Sequence, residues 1–156
     1  MEKKKIVIID DEKDFCFLMK SLLEGMGPFE VDTALDGEEG YYIVLEKKPD
    51  LIFLDYVMPK MRGDEVLRLL RQNSETDKIP VVITSGLGEA TYLEKEELDK
   101  QGISKDRIDR KKMPTPKRMV GEIFKKAQNF ESIMYLEKPF SRETLLGLVR
   151  KILGDF

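Results

Sequence analysis

Four short runs of apolar, largely β-branched residues, each stopping abruptly at a polar group, constrain this chain more than any other feature. Lys5-Ile6-Val7-Ile8-Ile9 runs into Asp10-Asp11, and Leu51-Ile52-Phe53-Leu54 ends in Asp55. Pro80-Val81-Val82-Ile83 leads to Thr84-Ser85-Gly86, and Ile133-Met134-Tyr135-Leu136 leads to Glu137-Lys138-Pro139. None of the four alternates with polar residues, which is how strands buried on both faces of a parallel sheet read. A fifth segment, Glu30-Val31-Asp32-Thr33-Ala34, does alternate, as an edge strand would.

Helical periodicity fills the gaps. Phe15, Leu18, Met19, Leu22 and Leu23 share one face of a first helix, which Gly25 or Gly27 can end. Tyr41, Val44 and Leu45 mark a second helix, closed before Pro49. Asp64 is expected to cap a third, with Val66, Leu69 and Leu70 inward, and Ser141 a final one with Leu145, Leu148, Val149 and Ile152 inward. The alternation predicts an α/β sandwich with right-handed crossovers.

The stretch between the fourth and fifth strands is too long for one crossover. Its second half predicts a helix with Thr115 as N-cap and Pro116 at the first helical position, presenting Val120, Ile123, Phe124 and Ala127 on one face. Residues from about 88 to 114 are then an insertion between the fourth strand and that helix, holding a polar helix near 90–100 and a basic stretch. Residues 100–118 carry eight basic side chains against Asp106 and Asp109. The segment reads either as a solvated loop or as a docking element for an acidic surface or a nucleic acid.

A length of 156 residues suits a single domain spanning 1–156. No apolar run approaches the roughly 18 residues a membrane span needs, so the expectation is a cytoplasmic protein without a membrane partner. A net charge of −3 argues against a dedicated nucleic-acid binder. Cys16 is the only cysteine, which removes disulfides and cysteine metal clusters, and its place beside Phe15 and Phe17 makes it a passive thiol. The absence of histidine excludes Ser/His/Asp and Cys/His catalysis.

In open α/β sheets, functional groups gather at the carboxyl ends of the strands. Those ends carry Asp10-Asp11, Asp55, Thr84 and Lys138 here. Three close carboxylates repel one another unless a cation sits among them, and an all-oxygen donor set suits Mg²⁺. Asp55, a single acid ending a central strand, is the natural nucleophile toward phosphorus, with Lys138 and the Thr84 hydroxyl offsetting charge on the phosphoryl oxygens. Each residue also has a plain structural reading, as helix cap, strand end or solvated side chain. Their joint occurrence at successive strand ends favours a Mg²⁺-dependent phosphoryl-acceptor pocket.

The motifs IVIIDDE, DLIFLDYVMP, VVITSG and YLEKPF closely resemble those of the response-regulator receiver domains of bacterial two-component systems. The resemblance covers nearly all of the chain outside the insertion. It implies the flavodoxin-like three-layer sandwich with a five-stranded parallel sheet in the order 2-1-3-4-5, an order known for the chemotaxis member of that family. It also implies that Asp55 is the phosphorylated aspartate. Asp10, Asp11 and Asp55 would then serve Mg²⁺ together with the Val57 backbone carbonyl, while Thr84 and Lys138 contact the phosphoryl group. Thr84 and the aromatic Tyr135 match the pair that moves on activation.

The implied partners are a sensor histidine kinase or a histidine phosphotransfer protein, and a downstream protein docking through the 88–130 region. With the chain ending at Phe156, directly after the last helix, the expectation is a stand-alone receiver that switches a partner or relays phosphate. It is not expected to be an enzyme beyond assisting its own phosphorylation and dephosphorylation. Val57 and Gly86, two places after Asp55 and Thr84, offer no side chain to orient a water, so self-dephosphorylation is expected to be slow. The competing readings are weaker. An Asp-nucleophile phosphatase wants a second acid where Val57 stands. A receiver degenerated into a constitutive adaptor would lack a pocket residue. A nucleotide site at Gly86-Leu87-Gly88 lacks its third glycine.

Overall fold

The computed structural model describes residues 2–56, 58, 61–86 and 133–156. The insertion over about 88–114, the helix expected from Thr115 and the Val57 backbone all lie outside these residues. The described elements are β1 (Lys4–Ile9), α1 (Lys13–Met26), β2 (Phe29–Ala34), α2 (Gly37–Lys47), β3 (Leu51–Asp55), α3 (Gly63–Gln72), β4 (Val81–Gly86), β5 (Ile133–Lys138) and α4 (Arg142–Leu153).

All strand pairings are parallel and the order is β2-β1-β3-β4-β5, as the resemblance implied. β2 lies at one edge of the sheet, as its alternation predicted. Side chains alternate across a strand, and that alternation divides the core in two. Ile6, Ile8, Leu51, Phe53 and Val82 pack against Cys16, Met19 and Leu23 of α1 and Leu145 and Val149 of α4. Val7, Ile9, Ile52, Leu54, Val81 and Ile83 pack against Val44 of α2 and Val66, Leu67 and Leu70 of α3. Among the described residues, two helices cover each face, giving the three layers.

Local chemistry explains several boundaries. Asp36 caps α2 by accepting the Glu39 N–H at 2.8 Å, and the Ser141 hydroxyl caps α4 by accepting the Thr144 N–H at 3.1 Å, as the sequence predicted for Ser141. Gly40 lets α2 lie close on β1, because a Cβ there would meet the Ile9 side chain at 2.6 Å.

Three expectations change. The buried stripe of α1 is Cys16, Met19 and Leu23, while Leu18 is 57% exposed. α1 offers apolar residues at both 15/18/22 and 16/19/23, and the sheet selects the second set with Phe15 and Leu22 at its margin. α3 begins after Arg62 with no side-chain cap, and Asp64 lies inside its first turn rather than at the N-cap. Gly63 sets that start. Its N–H donates to the Tyr56 carbonyl at 3.0 Å, and a Cβ at this position would collide with the Asp55 carbonyl oxygen. On α3, Leu67 rather than Leu69 joins Val66 and Leu70 in the core.

Candidate functional site

Strand parity and register bring the predicted residues to one rim. Asp10 follows β1 with the parity of Ile6 and Ile8, Asp55 shares that of Leu51 and Phe53, Thr84 that of Val82, and Lys138 that of Leu136. All four therefore project on the face covered by α1 and α4. The pairing Ile9↔Leu54 sets Asp10 level with Asp55, and Asp55 pairs directly with Thr84. Lys138 pairs with Gly86, two residues farther along than the Thr84↔Leu136 step. The Lys138 side chain thus reaches back over the rim from its outer end.

Three carboxylates converge there. Asp10, Asp11 and Asp55 each present an oxygen within 4.8 Å of the others; Asp10 and Asp55 are fully buried, and Asp11 is exposed. Asp10 is held on several sides. Its Oδ2 receives the Lys138 ammonium at 2.7 Å, its Oδ1 accepts the Glu12 N–H at 2.9 Å, and its own N–H donates to the Ala34 carbonyl at 3.0 Å. Burial pushes the Asp10 carboxyl above the usual carboxylate range, with Lys138 and the Glu12 N–H pulling the other way and the Asp11 charge adding to the rise. Among the described residues, three carboxylates and the Lys138 ammonium meet at this rim. That donor set, all oxygen and partly buried, fits a hard divalent cation.

The ladder continues past the nucleophile candidate, since the Tyr56 N–H donates to the Thr84 carbonyl at 3.1 Å. Thr84 itself is buried beside Asp55. Tyr56 is fully buried. Its hydroxyl accepts from the Arg62 guanidinium at 3.2 Å, and Arg62 also stands 5.6 Å from the ring centroid, closing the start of α3 over the end of β3. The Lys138–Pro139 peptide bond is cis.

Of the sequence-predicted residues, Asp10, Asp11, Asp55, Thr84 and Lys138 are brought to this rim. Tyr135 lies in β5, but its side chain is outside the described residues, as is Val57. Two contributors escaped the sequence reading. Phe15, taken only as part of a core stripe, lies with its ring centroid 4.1 Å from the Lys138 ammonium and edge-on to Phe140 at 6.2 Å. The other is Gly63, whose approach to the Asp55 carbonyl nothing local in the sequence marks. Cys16 is the passive thiol expected: buried, donating to the Asp10 carbonyl at 3.3 Å, its pKa pushed up to about 12 chiefly by burial.

The sequence profile of the response regulator receiver domain matches residues 6–104. This chain belongs to the response regulator receiver family. The receiver is 40% identical over 85 residues to the phosphate regulon transcriptional regulatory protein PhoB of Rhizobium meliloti, covering 54% of this chain and 37% of PhoB. It is 31% identical to the DNA-binding dual master transcriptional regulator RpaA of a Synechocystis species, covering 96% of the receiver but 48% of RpaA. It thus spans about half of RpaA's length, and less of PhoB's. Protein PilG of Pseudomonas aeruginosa is 30% identical, with 97% of this chain and 89% of PilG aligned.

Among solved structures, chemotaxis protein CheY4 of Vibrio cholerae superposes with a TM-score of 0.69 at 22% identity, covering 96% of this receiver and 98% of CheY4. The receiver domain of the sensor histidine kinase PA1611 from P. aeruginosa, solved with a magnesium ion coordinated in its active site cleft, gives 0.68 at 17% identity, covering 98% and 99%. At those identities the structures support the fold. The relatives also bear on partners: because RpaA is a DNA-binding regulator, a net charge of −3 does not separate this receiver from proteins that act on DNA. Among the described residues, no helix is long and apolar enough to cross a membrane.

Proposed function

We propose that this receiver is a Mg²⁺-dependent phosphoryl acceptor whose Asp55 takes up the group in a two-component pathway. The observation that carries the reading is the convergence of Asp10, Asp11 and Asp55 with the Lys138 ammonium bonded to Asp10 at the same rim. A metal fits this donor set and would be held by the three carboxylates and the Val57 carbonyl. When bound, it would supply positive charge beside the oxygens of the transferring group.

The chain's own residues do the rest. An Asp55 carboxylate oxygen forms the new bond to phosphorus, and the donor's leaving group departs with the electrons of the bond that breaks. That leaving group is the imidazole of a phosphohistidine on a sensor kinase or phosphotransfer protein, or the carboxylate of a small acyl phosphate. The chain has no histidine of its own to supply the phosphoryl group. The Thr84 hydroxyl donates to one phosphoryl oxygen and Lys138 opposes the charge on another. Burial of Asp55 and Thr84 keeps bulk water from the acyl phosphate, and Val57 and Gly86 offer no side chain to position one, so the phosphoryl group is long-lived. Thr84 and Tyr135 form the switch that carries the charge change to the surface.

The output proposed is phosphorylation-dependent partner binding by a stand-alone receiver, with the near-complete coverage of PilG as its support. Residues of about 88–114 are an insertion within one domain spanning 1–156, and the 88–130 region is the docking element. The likeness to RpaA and PhoB supports a second reading, in which the same switch governs a DNA-binding output. Either output belongs to a protein of the cytoplasm.

The test is intact mass after incubation with acetyl phosphate, with and without Mg²⁺, beside Asp55→Ala. A Mg²⁺-dependent gain of one phosphoryl group, absent from the variant, is expected. No gain under any condition would sink the acceptor reading and favour a constitutive adaptor.

A further inference from the structure

We infer that Phe15 is a positioning residue for the phosphoryl-acceptor site, a ring-face platform that fixes where the Lys138 ammonium stands. The inference rests on the acceptor reading above and adds a residue to it. Its grounds are geometric. Lys138 reaches the acid rim from the end of β5, where its ammonium meets the Asp10 carboxylate at 2.7 Å and lies over the Phe15 ring, 4.1 Å from the centroid. An ammonium over an aromatic face at that distance is attracted by the negative face of the ring quadrupole. The ring is in turn set by Phe140, edge-on at 6.2 Å, and by the cluster beneath α1. Phe140 stands two residues beyond Lys138, so the strand end that delivers the lysine also buttresses the ring that receives it.

The consequence for the chemistry lies in donor arithmetic. An ammonium has three N–H donors and a long flexible stem. A second carboxylate in place of Phe15 would consume a donor and pull the ammonium away from an incoming group. A ring face attracts the charge without taking up a lone-pair-directed hydrogen bond. The ring thereby helps hold Lys138 at the rim without claiming one of its N–H donors, and the lysine keeps its place when it exchanges the Asp10 oxygen for a phosphoryl one. Leucine at position 15 would preserve apolar volume but release the ammonium toward Asp10 or water.

The test grades the ring's charge while keeping its shape. Mono-, di- and trifluorinated phenylalanine at position 15, with Phe15→Leu and Phe15→Trp, are compared for the rate of Mg²⁺-dependent phosphoryl gain from acetyl phosphate. The Lys138 side-chain methylene resonances are followed by NMR in the same proteins without phosphodonor. Stepwise slowing with fluorination is expected, reaching about threefold to tenfold in Phe15→Leu, with retention in Phe15→Trp. The upfield ring-current shift of the Lys138 methylenes is expected to vanish in Phe15→Leu alone. Equal rates across the series in a protein that accepts phosphate normally would overturn the platform and leave the acceptor reading standing. A methylene shift unchanged in Phe15→Leu would overturn it as well. Failure of the unsubstituted protein to gain any phosphoryl group would overturn the acceptor reading and this role together.

Discussion

Single residues set the geometry of the rim from positions that look ordinary. Gly63 carries no chemistry, yet its missing Cβ lets α3 begin against the Asp55 carbonyl. Gly63→Ala forces that approach apart. The expected cost is about 1–3 kcal/mol in a urea titration, the range for overpacking a close contact, with slower phosphoryl gain because the end of β3 moves. Unchanged stability and rate would show that the loop yields freely.

Cys16 is the complementary case, a reactive group made inert. With its pKa raised from 9.0 to about 12, the folded state binds more protons than the unfolded chain between those values. Stability from this thiol is therefore fully present below pH 9 and declines as pH rises through the window. The native protein is expected to resist a thiol reagent at pH 8 and to react fully once unfolded. Rapid labelling of the folded protein would contradict the burial argument.

At the scale of elements, the strands were legible and the helix faces only partly so. A continuous apolar run such as Ile6-Val7-Ile8-Ile9 can be satisfied only by cover on both faces, so its place in the sheet follows from composition. α1 carries two overlapping apolar stripes, and periodicity cannot choose between Leu18 and Cys16 because the choice depends on how the helix lies on the sheet. The start of α3 is hidden from local sequence for the same kind of reason. A local capping preference for Asp64 gave way to the contact of Gly63 with β3, which is distant information. Lys138 and Phe15 meet across most of the chain, and no local pattern announces their contact.

The far end of the sheet shows how elements are tied down. Phe156 lies edge-on to Phe29 at 4.7 Å, under the Arg150 guanidinium at 5.7 Å, and over Gly27, where a Cβ would collide with its ring. This contact fastens the segment after α4 to the start of β2. Phe156→Ala is expected to cost about 1–3 kcal/mol, a fraction of a fully buried phenylalanine, and to lower Tm by roughly 2–4 °C per kcal/mol. The rate of phosphoryl gain should stay unchanged, since the substitution lies away from the acid rim. A slowed rate at unchanged Tm would mean that the two ends are coupled.

At the scale of the molecule, the strand order 2-1-3-4-5 places β1, β3 and β4 side by side, so three strand ends of equal parity supply Asp10, Asp55 and Thr84 to one place. The resulting concentration of negative charge opposes folding and favours cation binding. Mg²⁺ is expected to raise Tm in proportion to the logarithm of its concentration above the dissociation constant. Asp11 is exposed, so Asp11→Asn should alter the metal-free Tm little while weakening or abolishing that rise. Because burial raises the Asp10 pKa, the Mg²⁺ increment should fade on acidification at a pH above the ordinary carboxylate value of 3.8. A Tm indifferent to Mg²⁺ from micromolar to tens of millimolar would contradict the charge argument.

The bond between Lys138 and Asp10 has a consequence of its own. The ammonium already grips an anion that the protein carries permanently, so every arriving anion enters a contest with a resident one. Chloride or a lone carboxylate brings little that Asp10 does not already provide. On the acceptor reading proposed above, a phosphoryl group would bring several oxygens at once and displace it. An anion drawn to this ammonium therefore has to better a resident contact of 2.7 Å.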